Sequence, residues 1–175
     1  DTDYDGDGDI DLIASNRSGR LVVLRNNGGV FTQVTAAGIG IDRDAASGIT
    51  MADIDTDGDQ DMLLVGLDAN DERVGYLFRN DGANSNSYLR FKLVGQESNR
   101  DAIGAVVRVT SASGEQWQTV HSGSSYASQS ELVLTFGLGS DLTAERVEVE
   151  WPSGKKQTTK GPIDTNKLIE ITEGS

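Results

Sequence analysis

The feature that most constrains the fold is an aspartate-rich loop that occurs twice, 50 residues apart. Residues 3–12 read DYDGDGDIDL and residues 53–62 read DIDTDGDQDM, with five aspartates and one glycine in register. An apolar run follows each copy, which predicts a short buried strand after each loop. The two stretches are therefore copies of one structural unit.

A second echo lies downstream of each loop. Residues 24–28 (LRNNG) correspond to residues 78–82 (FRNDG), so the offset grows from 50 to 54 within the polar stretch 66–75. Each unit reads loop, strand, turn, strand, Asn/Asp-Gly turn, strand. A repeat of about 50 residues built from short strands is typical of a β-propeller, where neighbouring blades cover each blade's faces.

The two copies differ in what precedes the loop. Residues 47–52 form a strand-like lead-in to the second loop, which we expect to pair with the strand after it. Only two residues precede Asp3, so the first loop lacks that strand. We expect either that Asp1 is not the biological start or that a neighbouring chain supplies the strand.

The loop spacing, D-x-D-x-D-G-x-x-D, predicts a metal site. Side chains at positions 1, 3 and 5 converge only if the chain curls tightly, which the glycine at position 6 permits, and position 7 offers its backbone carbonyl. An all-oxygen site of this kind suits calcium better than magnesium or zinc. The sequence thus predicts two Ca²⁺ sites, with side-chain ligands at Asp3, Asp5, Asp7, Asp11, Asp53, Asp55, Asp57 and Asp61 and carbonyl ligands at Asp9 and Asp59.

Two alternatives to a propeller-type calcium loop are disfavoured. An EF-hand needs a glutamate at position 12 and flanking helices, but Ala14 and Leu64 stand there inside apolar runs. Solvated acidic turns would also be rich in Asp and Gly, yet they would not recur in register ahead of two apolar strands.

The composition changes from about residue 87, where the aspartate loops stop. Strand-like alternation or β-branched enrichment predicts strands at 88–94, 105–110, 115–121, 132–136, 146–151 and 168–172. No helix is indicated. We therefore predict an all-β chain with two domains, partial β-propeller-type repeats over 1–86 and an antiparallel β-sandwich or barrel over 87–175.

The net charge of -13 and the absence of cysteine argue against several kinds of partner and site. An acidic chain repels nucleic acid and anionic membranes and attracts cations. Disulfides and thiolate sites are excluded. No run of 18 apolar residues is present, so membrane insertion is not expected.

The loops resemble the FG-GAP or VCBS calcium-binding repeats of integrin-type and bacterial extracellular β-propellers, and the resemblance covers residues 1–82. The remainder resembles the ASPIC and UnbV domain, which usually follows such repeats. That likeness rests on four islands in the right order, at 99–105, 121–129, 136–139 and 151–154. The resemblance implies a secreted or cell-surface protein with calcium-dependent structure and no enzymatic activity. Most propeller blades of that family are absent here.

Other side chains give weaker signals. His121 stands next to serines at 122, 124 and 125, but the sequence indicates neither an orienting carboxylate nor an oxyanion hole, so we expect no enzyme. Arg100 and Asp101 are candidate ligand contacts, although an ion pair or a turn is the simpler reading. Trp117 and Trp151 are expected in the core, which leaves Tyr126 as the candidate exposed contact for a sugar.

The sequence as a whole predicts an extracellular calcium-binding structural or adhesive module. One alternative is a subunit of an extracellular filament or assembly, joined through exposed strand edges to other copies or other extracellular proteins. Another is a carbohydrate-recognition module that binds glycans.

Overall fold

The computed structural model describes residues 1–15, 21–34, 48–67, 70, 72–82 and 85–174, and every regular element in these ranges is a β-strand. The predicted all-β class is confirmed. The described residues contain no helix that could span a membrane. In chain order the strands are β1 (Leu12–Ser15), β2 (Leu21–Asn27), β3 (Val30–Val34), β4 (Gly48–Ala52), β5 (Asp61–Leu67), β6 (Arg73–Phe78), β7 (Ser87–Val94), β8 (Val106–Ser111), β9 (Gly114–Thr119), β10 (Leu134–Gly139), β11 (Thr143–Glu150), β12 (Lys156–Asp164) and β13 (Lys167–Thr172).

The chain divides into two compact units. Unit 1 comprises residues 1–5, 9–83 and 123–131, and unit 2 comprises residues 6–8, 84–122 and 132–175. Unit 1 therefore contains most of the repeat region together with a short segment from the C-terminal half.

Unit 1 contains two antiparallel sheets, β1-β2-β3 and β4-β5-β6. The expected pairing of the lead-in strand is confirmed, because β4 pairs with β5 and places Ala52 opposite Asp61. In the first copy Thr2 takes the place of Ala52. It donates its N–H to Asp11 O (3.1 Å) and accepts the Asp11 N–H (2.8 Å).

One face of these sheets forms the core of unit 1. Alternation along β5 buries Met62 and Leu64 and leaves Leu63 exposed, directly opposite the exposed Leu77 of β6. The opposite face of the β4-β5-β6 sheet is therefore apolar and open. The buried cluster consists of Leu21, Val23, Ile49, Met51, Met62 and Leu64.

Residues 123–131 lie along the free edge of β4. Glu131 donates its N–H to Met51 O (3.1 Å), Met51 donates its N–H to Ser130 Oγ (3.1 Å), and Thr50 donates its hydroxyl to Gln129 O (2.5 Å). The two bonds at Met51 satisfy backbone groups that an edge strand would otherwise leave without a partner.

Unit 2 is a sandwich of a three-stranded sheet, β10-β7-β13, and a four-stranded sheet, β12-β11-β8-β9. All strand pairs are antiparallel except β7 with β13, which run parallel. A barrel would require strand pairing between the two sheets, and the described residues show none. The predicted sandwich is therefore the architecture that these residues form.

The core of unit 2 lies between its two sheets. Phe91 and Phe136 meet edge to face, with ring centroids 5.7 Å apart. Trp151 is buried beside them, as predicted. Each such side chain contributes roughly 1.5–3 kcal/mol through its burial.

The expectation that Trp117 packs in the core is wrong, because 61% of Trp117 is exposed. On β9 the inward positions are held by glutamines instead. Gln116 donates from Nε2 to Gly137 O (2.7 Å), and Gln118 donates from Nε2 to Thr135 O (2.6 Å). The inward face of β9 is thus the opposite of the one predicted. Its two glutamine amides point inward and donate to carbonyls of the edge strand β10.

Candidate metal centre

The aspartate loops bring carboxylates together in both copies. In the first loop, ligand atoms of Asp3, Asp5 and Asp11 all lie within 4.8 Å of one another. The second loop gathers its own three, at Asp53, Asp55 and Asp57, within the same distance. Positions 1 and 3 of the motif contribute to both clusters.

Two residues with positive φ curl each loop. Gly8 and Gly58, at position 6, both have a φ of 100°, a conformation that glycine adopts without strain. At position 4 the loops differ in sequence and agree in geometry, since Gly6 has a φ of 68° and Thr56 a φ of 65°. The second loop therefore keeps a β-branched residue in the left-handed region.

Replacing Thr56 by Gly is expected to stabilise the protein. The left-handed conformation costs a residue other than glycine about 1–2 kcal/mol, so we expect a gain of about 1 kcal/mol in the free energy of unfolding. Urea denaturation measures this gain. The reverse change in the first loop, Gly6→Thr, is the matched control and should lower the free energy of unfolding. A loss of stability in Thr56→Gly would show that Thr56 is not strained.

The last aspartate of the first loop fastens the loop to its repeat. Asp11 is fully buried, and its carboxylate accepts the Tyr4 N–H at Oδ2 (3.0 Å) and the Asn26 N–H at Oδ1 (2.7 Å). Asn26 donates from Nδ2 back to Ile10 O (3.1 Å). The carboxylate therefore joins the start of the loop to the Asn-Gly turn after β2.

The second loop repeats this arrangement residue for residue. Asp61 accepts the Ile54 N–H at Oδ2 (2.9 Å) and the Asn80 N–H at Oδ1 (2.8 Å). Asn80 also donates from Nδ2 to Tyr4 O (2.7 Å), which links the second turn to the first loop. The bonds recur at an offset of 50 on the loop side and 54 on the turn side, matching the offsets in the sequence.

Within the second loop the first aspartate orders the curl. Asp53 accepts the Asp57 N–H at Oδ1 (3.2 Å) and the Gly58 N–H at Oδ2 (2.9 Å). Asp57 in turn accepts the Asp59 N–H (3.0 Å). These bonds hold the carboxylates of positions 1 and 5 on the inside of the turn.

Four aspartates of the loops belong to neither cluster, namely Asp7, Asp9, Asp59 and Asp61. The Asp9 carboxylate accepts the Gly28 N–H (2.6 Å), so this side chain is turned toward the Asn-Gly turn. Asp7 is not part of the first cluster, and the buried Asp59 and Asp61 are not part of the second. The structure thus gathers six of the eight predicted side-chain ligands into two groups, while the carbonyl ligands predicted at Asp9 and Asp59 stay a prediction.

Sequence reasoning missed two arginines that contact the loops. Arg25 Nε lies 2.6 Å from Asp5 Oδ2, and Arg79 Nη1 lies 3.2 Å from Asp55 Oδ2. A hydrogen bond and the charge of Asp81, followed by the charge of Asp55, raise the pKa of Arg79. Both arginines lie in the matching segments LRNNG and FRNDG. These segments indicate a turn, but they do not show that the arginine contacts the loop.

A third missed residue is Glu131, from the segment along β4. Its Oε1 accepts the Asp53 N–H (2.9 Å) and a bond from Gln60 Nε2 (3.1 Å). Glu131 lies 78 residues from Asp53 in the chain, and no spacing rule connects them.

The other candidate contacts are not brought into a common site. Tyr126 is 81% exposed. Arg100 accepts the Gly95 N–H at its carbonyl in a turn where Asn99 bonds both backbone groups of Ile103, and Asp101 is exposed on the same turn. His121 is exposed, and Ser124 Oγ lies 2.8 Å from Ser130 Oγ.

The donor set in each cluster fits a hard cation. Every side-chain donor is a carboxylate oxygen, and three carboxylates within 4.8 Å would repel one another without a counter-charge. Oxygen ligands of this kind suit calcium, magnesium or manganese, whereas zinc favours nitrogen and sulfur. Both clusters could therefore hold a metal ion.

Both parts of the chain are similar to known protein families. Residues 3–64 match the family model described as FG-GAP-like repeat, and residues 95–175 match the model described as ASPIC and UnbV. Cartilage acidic protein 1 from Mus musculus is 30% identical over 180 residues, and that from Homo sapiens is 30% identical over 182 residues. The alignments cover 97% of this chain and 27% of each relative.

These matches confirm the resemblance drawn from the motifs. The repeat model ends within β5, and the second model begins just after β7. The N-terminal part of the chain is thus similar to FG-GAP-like repeats and the C-terminal part to an ASPIC and UnbV domain, and the chain is similar to cartilage acidic protein 1 along nearly its whole length.

Proposed function

We propose that the two aspartate loops bind calcium and that this chain is part of an extracellular, non-enzymatic structural or adhesive module. The observation that carries the proposal is the recurrence of a carboxylate cluster in both repeats, with positions 1 and 3 of the motif in each cluster and a different third member, Asp11 in the first and Asp57 in the second. Asp3 and Asp5 in one copy correspond to Asp53 and Asp55 in the other. Acidic surface residues that serve only solubility would not be expected to recur at the same spacing and to cluster in both repeats.

Calcium is the cation that best matches the loop. It accepts six to eight oxygen ligands in flexible geometry, so three carboxylates, a backbone carbonyl and water can complete its shell. Magnesium demands a stricter octahedron and keeps more of its water. The curled loop, with backbone N–H groups bonded to Asp53, orders the ligands before an ion arrives.

An extracellular location is proposed from the relatives and from the metal. Both relatives carry the name cartilage acidic protein 1, and this name supports an extracellular location for the present chain. Millimolar calcium outside cells would keep even weak sites of 10⁻⁴–10⁻³ M filled. Partners would be other copies, extracellular proteins or glycans, and the exposed Leu63 and Leu77 favour a protein partner over a glycan.

The proposal is tested by counting bound calcium in single-loop variants. Asp5→Asn and Asp55→Asn each remove a charge from one cluster, so each should lose one of two calcium equivalents in equilibrium dialysis. Asp101→Asn, an exposed aspartate outside the loops, is the matched control and should retain both. Equal binding by all three variants and the wild type would contradict the assignment to these loops.

A further inference from the structure

We propose that Arg25 and Arg79 are built-in counter-cations of the two loops. Each arginine pairs with the position-3 aspartate while the loop is free of metal and leaves it when calcium binds, so that the arginine lowers the calcium affinity of its loop. This inference rests on the proposed calcium binding. It assigns to two residues outside the aspartate motif a role in setting affinity.

The same pair of positions makes the contact in both repeats, through Nε of Arg25 and through Nη1 of Arg79. Arg25 Nε contacts Asp5 Oδ2 and Arg79 Nη1 contacts Asp55 Oδ2, and Asp5 and Asp55 both belong to the candidate metal clusters. The two contacts come from residues that correspond in the LRNNG and FRNDG echo. A chance surface ion pair would not recur at equivalent positions of two diverged copies.

The neighbouring asparagine fixes each arginine to its loop. The Asn26 N–H is bonded to Asp11, and the Asn80 N–H is bonded to Asp61, the last aspartate in each case. The arginine backbone is therefore held one residue from a loop anchor. From this backbone position, the arginine side chain contacts the aspartate at position 3 of the loop.

Charge explains why the pair should break when calcium enters. Five aspartates crowd each loop, so a guanidinium beside one of them relieves repulsion in the empty loop. A divalent ion in the same cluster supplies twice that charge and repels the guanidinium. The Arg25 and Arg79 side chains are 43% and 59% exposed, which leaves each a path into solvent.

The two repeats differ in one residue that should tune this competition. Arg79 also bonds Asp81 from Nη2, whereas the equivalent position in the first repeat is the uncharged Asn27. Asp81 stands outside the second cluster and offers Arg79 a carboxylate to keep after calcium has taken Asp55. We therefore expect the arginine to compete more strongly in the first loop than in the second.

Calorimetric titration in single-site backgrounds tests the proposal. Asp55→Asn leaves the first loop, and adding Arg25→Gln to it should tighten calcium binding about tenfold, because a full competing charge is removed. Asp5→Asn leaves the second loop, where Arg79→Gln should give a smaller gain. Weaker or unchanged binding in the Arg25→Gln protein would overturn the proposal, since it would mean that the arginine orients its aspartate or has no influence.

Two controls separate the possible failures. Arg25→Lys keeps the charge and should bind calcium within about threefold of its single-site parent, so it remains informative if Arg25→Gln does not fold. In metal-free protein Arg25→Gln should lower the thermal midpoint, which a passive surface arginine would not do. Calcium binding by the wild type without a gain in Arg25→Gln overturns the arginine proposal alone; no binding by either protein overturns both proposals.

Discussion

Saturating calcium is expected to raise the free energy of unfolding of this chain by about 5 kcal/mol over the chelated protein. A ligand at a hundredfold excess over its dissociation constant contributes about 2.7 kcal/mol per site when it binds only the folded state, and we propose two sites. The same ions remove the repulsion within each carboxylate cluster. Urea denaturation with calcium and with chelator measures the difference.

Two controls make this result specific. An equal concentration of magnesium should give a smaller gain, because the loop offers flexible oxygen ligands that suit calcium better. The double variant Asp5→Asn/Asp55→Asn should lose most of the calcium effect, since it weakens both clusters. A calcium effect of the same size in the double variant would contradict a role for the loops.

The second large effect is expected at Glu173, which closes unit 2 at its C-terminal end. This buried carboxylate accepts three consecutive backbone N–H groups at Oε2, from Gln96 (2.8 Å), Glu97 (2.8 Å) and Ser98 (2.7 Å). Oε1 accepts the hydroxyls of Ser98 (3.0 Å) and Ser153 (2.5 Å). One side chain thus joins two loops to the end of β13.

These bonds predict how stability depends on pH. Burial raises the pKa of Glu173, but the hydrogen bonds from Ser153, Ser98 and Gln96 outweigh burial and lower it from 4.5 to about 2. A lowered pKa means that the carboxylate stabilises the fold above pH 4.5 and loses this contribution as the pH falls toward 2. Acid unfolding should therefore steepen in that window.

Glu173→Gln should abolish this dependence and lower the thermal midpoint at neutral pH, because the neutral amide accepts at one end only and turns a donor toward either the backbone N–H groups or the serine hydroxyls. Glu170→Gln is the matched control, since Glu170 lies on β13 three residues before Glu173, is exposed and pairs with Lys92. Thermal scans between pH 2 and 7 compare the two. An acid profile in Glu173→Gln that matches the wild type would refute the assignment.

The repeat made the fold of the N-terminal half predictable. Because residues 47–52 read as a strand that leads into the second loop, the sequence predicted the β4 and β5 pairing that the structure shows. Most C-terminal strands also followed from their alternation. β12 did not, because this edge strand is exposed along nearly its whole length and carries no apolar period. The parallel pairing of β7 and β13 joins distant segments, which local patterns cannot connect.

The site was predictable in its ligand types and less so in their roles. Spacing identified the aspartates, but it could not show that both oxygens of Asp11 hold backbone N–H groups, or that Asp9 turns toward Gly28. The contributions of Arg25 and Glu131 depend on where turns and distant segments fold back. Trp117 was misplaced because alternation fixes two faces of a strand without saying which one is buried.

Both aspartate loops are expected to hold calcium. Isothermal titration of the chelator-treated wild-type chain with calcium measures this binding. We expect two equivalents bound per chain, one for each carboxylate cluster. A titration that shows no binding at millimolar calcium would contradict it.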